Sequence, residues 1–345
     1  MRTIALLLTF AMSLYGGIAV AQNSYGQTNL TSDLSGVAAK TDPQLVNPWG
    51  IAFFPGAPFW VADNNSGVST LYDATGKKQS LVVTIPPPSD MTGQGTPTGI
   101  VTNSTSGFLV GGVPAVFIWD TEDGTISGWW TGNKSTIEVD NSDSGAVYKG
   151  LAMLTNTSGS FLVAANFNSG KIEVYDKNWK LTTLTGTFAD PTLPKGYGAF
   201  GVHVIGSAVY VTYAKQNPSK HDPVIGPGRG YVSQFNNQGD FVQRFASAGV
   251  LDAPWGVVTA PATGFGAFSG DLLIGNFGDG IINAFSPSTR KVLGQIQNPD
   301  GTVIHNPGLW DMVFGAGGTG DPHTLYFTAG ILSEAHGLFG AIAPK

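Results

Sequence analysis

Asn47-Pro48-Trp49-Gly50-Ile51-Ala52-Phe53 leads into Phe59-Trp60-Val61-Ala62-Asp63-Asn64, and Ala253-Pro254-Trp255-Gly256-Val257 leads into Leu272-Leu273-Ile274-Gly275-Asn276-Phe277. The two passages share one grammar. An aromatic residue beside glycine opens a short apolar strand. A turn then leads to a second, almost unbroken apolar strand, and a polar Asn/Gly turn leads to a third. An unbroken apolar run suits a strand covered on both faces, whereas alternation, as in Lys171-Ile172-Glu173-Val174-Tyr175, suits one with two different faces.

Four more passages repeat the pattern. They are Pro97-Thr98-Gly99 with residues 108–110 and 116–119, Tyr148-Lys149-Gly150-Leu151 with 161–166 and 171–176, Phe200-Gly201-Val202 with 209–213 and 231–235, and Leu309-Trp310-Asp311 with 325–328 and 338–342. With Gly50, Gly99, Gly150, Gly201, Gly256 and Asp311 as equivalent points, the unit recurs every 49 to 55 residues. A period of that length with several strands per unit is the signature of propeller blades. An outer strand follows in most units, at 80–85, 181–184, 241–245 and 292–296, but the sixth ends at Lys345 without one. A spare strand stands at 27–31. The expected fold is therefore all-β: a six-bladed β-propeller whose N-terminal strand closes the last blade and removes the exposed sheet edges.

Composition agrees. Of 345 residues, 48 are glycine and 21 proline, while only 12% are charged. Many short strands joined by tight turns require such a composition. Hydrophobic residues make up 42%, enough for one large core, so residues 22–345 are expected to form a single propeller domain. Residues 1–21 read as a signal peptide, with Arg2, an apolar run from Ile4 to Leu14, and an Ala19-Val20-Ala21 cleavage site before Gln22. The expected location is secreted or periplasmic, with no membrane span after cleavage. Cysteine is absent, so the core alone must hold the exported fold. A net charge of −6 without basic clusters argues against nucleic acid as a partner. The expected partner is a small molecule, glycan or protein, bound by a monomer.

The strings Asn47-Pro48-Trp49-Gly50, Ala253-Pro254-Trp255-Gly256, Gly275-Asn276-Phe277-Gly278-Asp279-Gly280 and Gly308-Leu309-Trp310-Asp311 resemble an uncharacterised bacterial family of secreted propeller proteins with NHL-like repeats. The resemblance spans nearly all of the chain after the leader. It implies a fold and no particular activity.

Repetition in a propeller brings equivalent loop residues together around one mouth of the central channel. The expected ligand site there comprises Asp63, Asn64, Lys149, Asn166, Lys215, His221, Arg229, Asn276 and Asp311. Asp and Asn oxygens converging in this way suit a hard cation such as Ca²⁺, although the same residues also favour turns for local reasons. Residues 214–230 form the longest connection between a second and a third strand and concentrate charge in a charge-poor chain. No zinc spacing, nucleophile elbow or phosphate loop is present. With only four glutamates, any carboxylate chemistry is expected to fall to aspartate. Trp49, Trp255 and Trp310 read either as packing between blades or as an exposed aromatic ring for sugars. The sequence thus favours a binding or interaction module. A metal-dependent (Ca or Zn) hydrolase, lactonase or lyase with its site at the central channel is the alternative, and whether the chain is an enzyme stays open.

Overall fold

The computed structural model describes residues 23–345, and the expected leader with its cleavage point lies outside them. Among the described residues there is no α-helix, only strands, turns and three short 3₁₀ turns. Six sheets, antiparallel except where the short strand Lys40–Thr41 pairs parallel with Tyr25–Ser32, make six blades, each read from the channel outward. Blade one is Pro48–Ala52, Phe59–Asp63, Val68–Tyr72 and Val83–Thr84. Blade two is Pro97–Thr102, Phe117–Thr121, Thr125–Trp129 and Thr136–Asp140. Blades three, four and five begin with Tyr148–Asn156, Tyr197–Ile205 and Pro254–Thr259 and follow the same order.

Blade six is composite, as expected. Leu309–Phe314, Leu325–Ala329 and Leu338–Pro344 are completed by Tyr25–Ser32, which runs antiparallel to the last strand from Tyr25 opposite Pro344 to Ser32 opposite Leu338. Tyr25 anchors this strand. Its ring is fully buried between blades, stacks on Phe268, and its hydroxyl donates to Phe265 O at 3.0 Å.

Blade two differs from the expectation. Residues 108–110 are not its second strand. Leu109–Val110 pairs with Val113–Pro114 in a small separate hairpin, turned by Gly111 and Gly112 at φ 59° and 88°. Two consecutive residues with positive φ suit glycine and close a two-residue hairpin. Phe117–Thr121 is the true second strand, with every residue buried.

The inner strands stack the channel in tiers. Ahead of each marker stand Trp49, Thr98, Lys149, Phe200, Trp255 and Trp310; at the markers stand five glycines and Asp311; after them come Ile51, Ile100, Leu151, Val202, Val257 and Met312. Glycine at the marker lets the next blade's backbone come close: a Cβ on Gly201 would lie 2.6 Å from Trp255 O. The first tier forms an aromatic plug. Trp49 and Trp310 stack with centroids 3.4 Å apart, and Trp255 meets both edge-on at 6.3 and 6.0 Å.

Candidate functional site at the channel mouth

Above the plug lies the mouth, formed by the loops leading into first strands and those linking second to third strands. Lys149 holds the plug position in blade three that Trp49 holds in blade one. Its side chain is 2% exposed, and its ammonium sits 5.2 Å from the Trp49 ring centroid, where the π face attracts a cation. The ammonium is paired with Glu122, which follows the second strand of blade two, and lies 3.7 Å from Asp222. Asn64 of blade one donates to the other Glu122 oxygen at 2.8 Å.

The blade-four loop is folded rather than loose. The Asn217 carbonyl and side chain accept the Lys220 and His221 N–H groups, and Asn217 N donates to Asp222 O at 2.9 Å. His221 and Asp222 are thereby set over the mouth, with Nδ1 of the imidazole 2.8 Å from the Asp222 carboxylate. That bond pushes the His221 pKa up and the Asp222 pKa down. Glu334 enters from blade six. Its carboxylate accepts from Asn47 Nδ2 at 3.0 Å, while Asn47 Oδ1 accepts the Trp310 indole N–H at 3.0 Å. Burial, then the nearby Glu122 charge, raises the Glu334 pKa. The turn carrying it is strained: Leu332, Ser333 and Glu334 all have positive φ, at 53°, 56° and 66°. Such conformations cost roughly 1–2 kcal/mol per residue and concentrate at functional sites.

Glu122 and Asp222 thus meet one ammonium from two blades, and Glu334 joins the same network from a third through Asn47 and Asn64. Carboxylate exceeds cation here, and the mouth attracts positive charge. Glu122, His221 and Asp222 also offer one ligand atom each within 4.8 Å of one another, a set able to hold a divalent cation. Beside them opens a cleft of about 400 Å³ lined by Asp222, Ile225, Phe277, Pro307 and Glu334 among others.

Of the residues expected at the mouth, the structure brings Asn64, Lys149 and His221 together. The others are occupied elsewhere. Asp63 points into blade one, where Thr70 donates to it twice; its oxygen is fully enclosed, and burial pushes its pKa well up. Asn166 is engaged by Glu173 and by its own turn at Ser169 N, and Asn276 by Val250 O and Asp279, the local chemistry that makes Asx residues common in turns. Lys215 is exposed at a strand end, and Arg229 donates to Ile225 O within its own loop. Asp311 lies below the plug, bonded to Ile51 N and Met312 N. Trp49, Trp255 and Trp310 are buried in the plug and offer no exposed aromatic ring there.

Glu122 and Glu334 escaped the sequence reading. The scarcity of glutamate argued against them, yet a signal for Glu122 was present. Once Phe117–Thr121 is taken as the second strand, Glu122 occupies the position that Asn64 holds in blade one.

No family model matches the chain, so the NHL-like and bacterial resemblance rests on the strings quoted above. Two proteins of Acanthamoeba polyphaga mimivirus match almost throughout. Uncharacterized protein R648 is 34% identical over 337 residues, covering 91% of this chain and 78% of its own. Uncharacterized protein L690 is 34% identical over 331 residues, covering 91% and 84%. Among solved structures, the soluble aldose sugar dehydrogenase of Escherichia coli superposes with a TM-score of 0.57 at 14% identity, over 93% of this chain and all of that one. The calcium-binding protein regucalcin of Agrobacterium tumefaciens gives 0.52 at 14% over 88% and 91%, and virginiamycin B lyase of Staphylococcus aureus 0.51 at 11% over 93% and 99%. These likenesses show the six-bladed fold and nothing of the chemistry.

Proposed function

Since the chain belongs to the family of the mimivirus proteins R648 and L690, we propose that it is an exported binding module of that family, whose channel mouth takes a small molecule bearing an amine beside hydroxyl or apolar groups. One observation carries this reading: Glu122 and Asp222 flank a single ammonium, that of Lys149, with the Glu334 carboxylate joined to them through Asn47 and Asn64, beside a cleft of about 400 Å³. An added ammonium would offset a further carboxylate charge, hydroxyls would find carboxylate acceptors, and Phe277 with Pro307 would cover an apolar body. The plug closes the mouth from below, so the ligand enters and leaves by one face. Calorimetric titration with glucosamine and with glucose tests it. Glucosamine is expected to bind at least tenfold more tightly, and Asp222→Asn with Glu334→Gln to abolish the difference. Equal binding of both sugars, or none, would reject the reading. Export is part of the proposal and requires a mature N-terminus at Gln22 by sequencing.

The Glu122–His221–Asp222 trio favours a second reading, a metal-dependent hydrolase or lyase. The imidazole in the set points to Zn²⁺ rather than the expected Ca²⁺, which prefers oxygen ligands alone. Metal analysis of purified protein decides: stoichiometric zinc lost in Glu122→Gln supports this reading, and metal-free protein with no affinity for added Zn²⁺ removes it.

A further inference from the structure

Below the plug the channel has a different character. A cavity of about 270 Å³ is lined by the tier Ile51, Ile100, Leu151, Val202, Val257 and Met312, by all of the next tier except Ala52, and by Trp255 and Asp311. That next tier is Ala52, Val101, Ala152, His203, Val258 and Val313. The first tier is buried, while Val101, His203, Val258 and Val313 are half-buried, so the cavity is closed at the plug and opens toward the far face. In these twelve equivalent positions one residue, His203, is polar.

The polar side-chain atoms of the lining can be accounted for one by one. Trp255 Nε1 donates to Lys149 O at 2.6 Å. The two Asp311 oxygens accept from Ile51 N and Met312 N, each at 2.8 Å. His203 Nε2 lies 2.9 Å from Trp255 O. A carbonyl only accepts, so Nε2 carries the proton and Nδ1 keeps its lone pair. Burial holds the His203 pKa down at about 4, and the ring is neutral at physiological pH. Nδ1 has no hydrogen-bond partner among the described residues.

We infer that this far half of the channel is a second binding site, for a small neutral, largely apolar molecule with one hydroxyl group that donates to His203 Nδ1. The tiers supply aliphatic cover on all six sides, and the plug supplies an aromatic floor. An apolar cavity of roughly 150 Å³ accommodates benzene, so this one suits a body of roughly seven to ten non-hydrogen atoms. Net charge is unwelcome in an aliphatic lining whose one carboxylate, Asp311, is already engaged by the Ile51 and Met312 N–H groups. Specificity would come from the single acceptor, which a ligand without a hydroxyl leaves unpaired. The site is separate from the mouth and stands or falls independently of it.

Cyclohexanol and methylcyclohexane, nearly equal in shape, make the test by calorimetric titration of the full chain. Cyclohexanol is expected to bind about tenfold more tightly, His203→Leu to bring the two within about twofold, and Val258→Phe, which fills the cavity, to abolish both. Should these variants fail to fold, wild-type crystals equilibrated with xenon report directly, with density expected between His203 and Val258. Binding unchanged by Val258→Phe, a tenfold preference retained in His203→Leu, or xenon absent from the channel would overturn the inference.

Discussion

Asp311 accepts the backbone N–H of Ile51 at 2.8 Å and thereby bridges the seam where the last blade meets the first. The other five marker positions hold glycine and let neighbouring backbones close directly. At this seam a carboxylate is interposed instead, in a place so dry that burial raises its pKa to about 7. The group that ties the ring at its closing point is thus a titratable one.

Stability should respond to pH through Asp311. An acid whose folded pKa is raised binds its proton more tightly in the folded state, so stability is greatest below about pH 4 and falls as pH rises from 4 toward 7. Asp311→Asn removes that slope and leaves one backbone N–H without its acceptor, at about 1 kcal/mol. The variant should melt below wild type at pH 4 and above it at pH 8. Melting curves that stay parallel across this range would refute the assignment.

Closure of the ring by the N-terminal strand predicts a large effect of Tyr25→Ala. The substitution removes a fully buried ring and the hydrogen bond to Phe265 O. The expected loss is about 3–5 kcal/mol, read by urea denaturation. Deleting residues 22–32 should cost at least as much, since it also exposes the edge of Leu338–Pro344.

His221 should titrate above the ordinary histidine range, because the Asp222 carboxylate stabilises its protonated form. Proton NMR of the imidazole, compared between wild type and Asp222→Asn, checks this. The pKa is expected to drop in the variant; an unchanged value would separate the two side chains in solution.

The buried pair Lys149 and Glu122 predicts strong non-additivity. Lys149→Met alone strands a carboxylate over the plug and should destabilise by about 3–5 kcal/mol, whereas adding Glu122→Gln should recover much of the loss. A double-mutant cycle by denaturation measures the coupling, and additive losses would argue against a direct pair.

The blade period was legible because each glycine marker serves the same close approach between inner strands, and the orphan strand at 27–31 was legible because an open ring leaves an unpaired edge. Blade two was misread where Phe108-Leu109-Val110 has strand composition but sits between glycines that fold it into its own hairpin. That shift concealed Glu122. Asp63 and Asp311 were placed at the mouth because position in a repeat fixes where a backbone runs, not which way a side chain turns. Asp63 turns into its sheet toward Thr70, and Asp311 turns down toward Ile51. Glu334 rests on three consecutive left-handed residues in Leu332-Ser333-Glu334, a conformation that their side chains disfavour and no local pattern announces.

Mapping backbone amide shifts during titration with glucosamine tests the central claim, that ligand binds at the carboxylate-rich mouth, most directly. The account predicts shifts at Asn64 and Asn65, Glu122 and Asp123, His221 and Asp222, and Ser333 to Ala335, with Val101, Val204, Val258 and Val313 below the plug unmoved. Shifts confined to the far half of the channel or the outer strands, with the mouth silent, would contradict it.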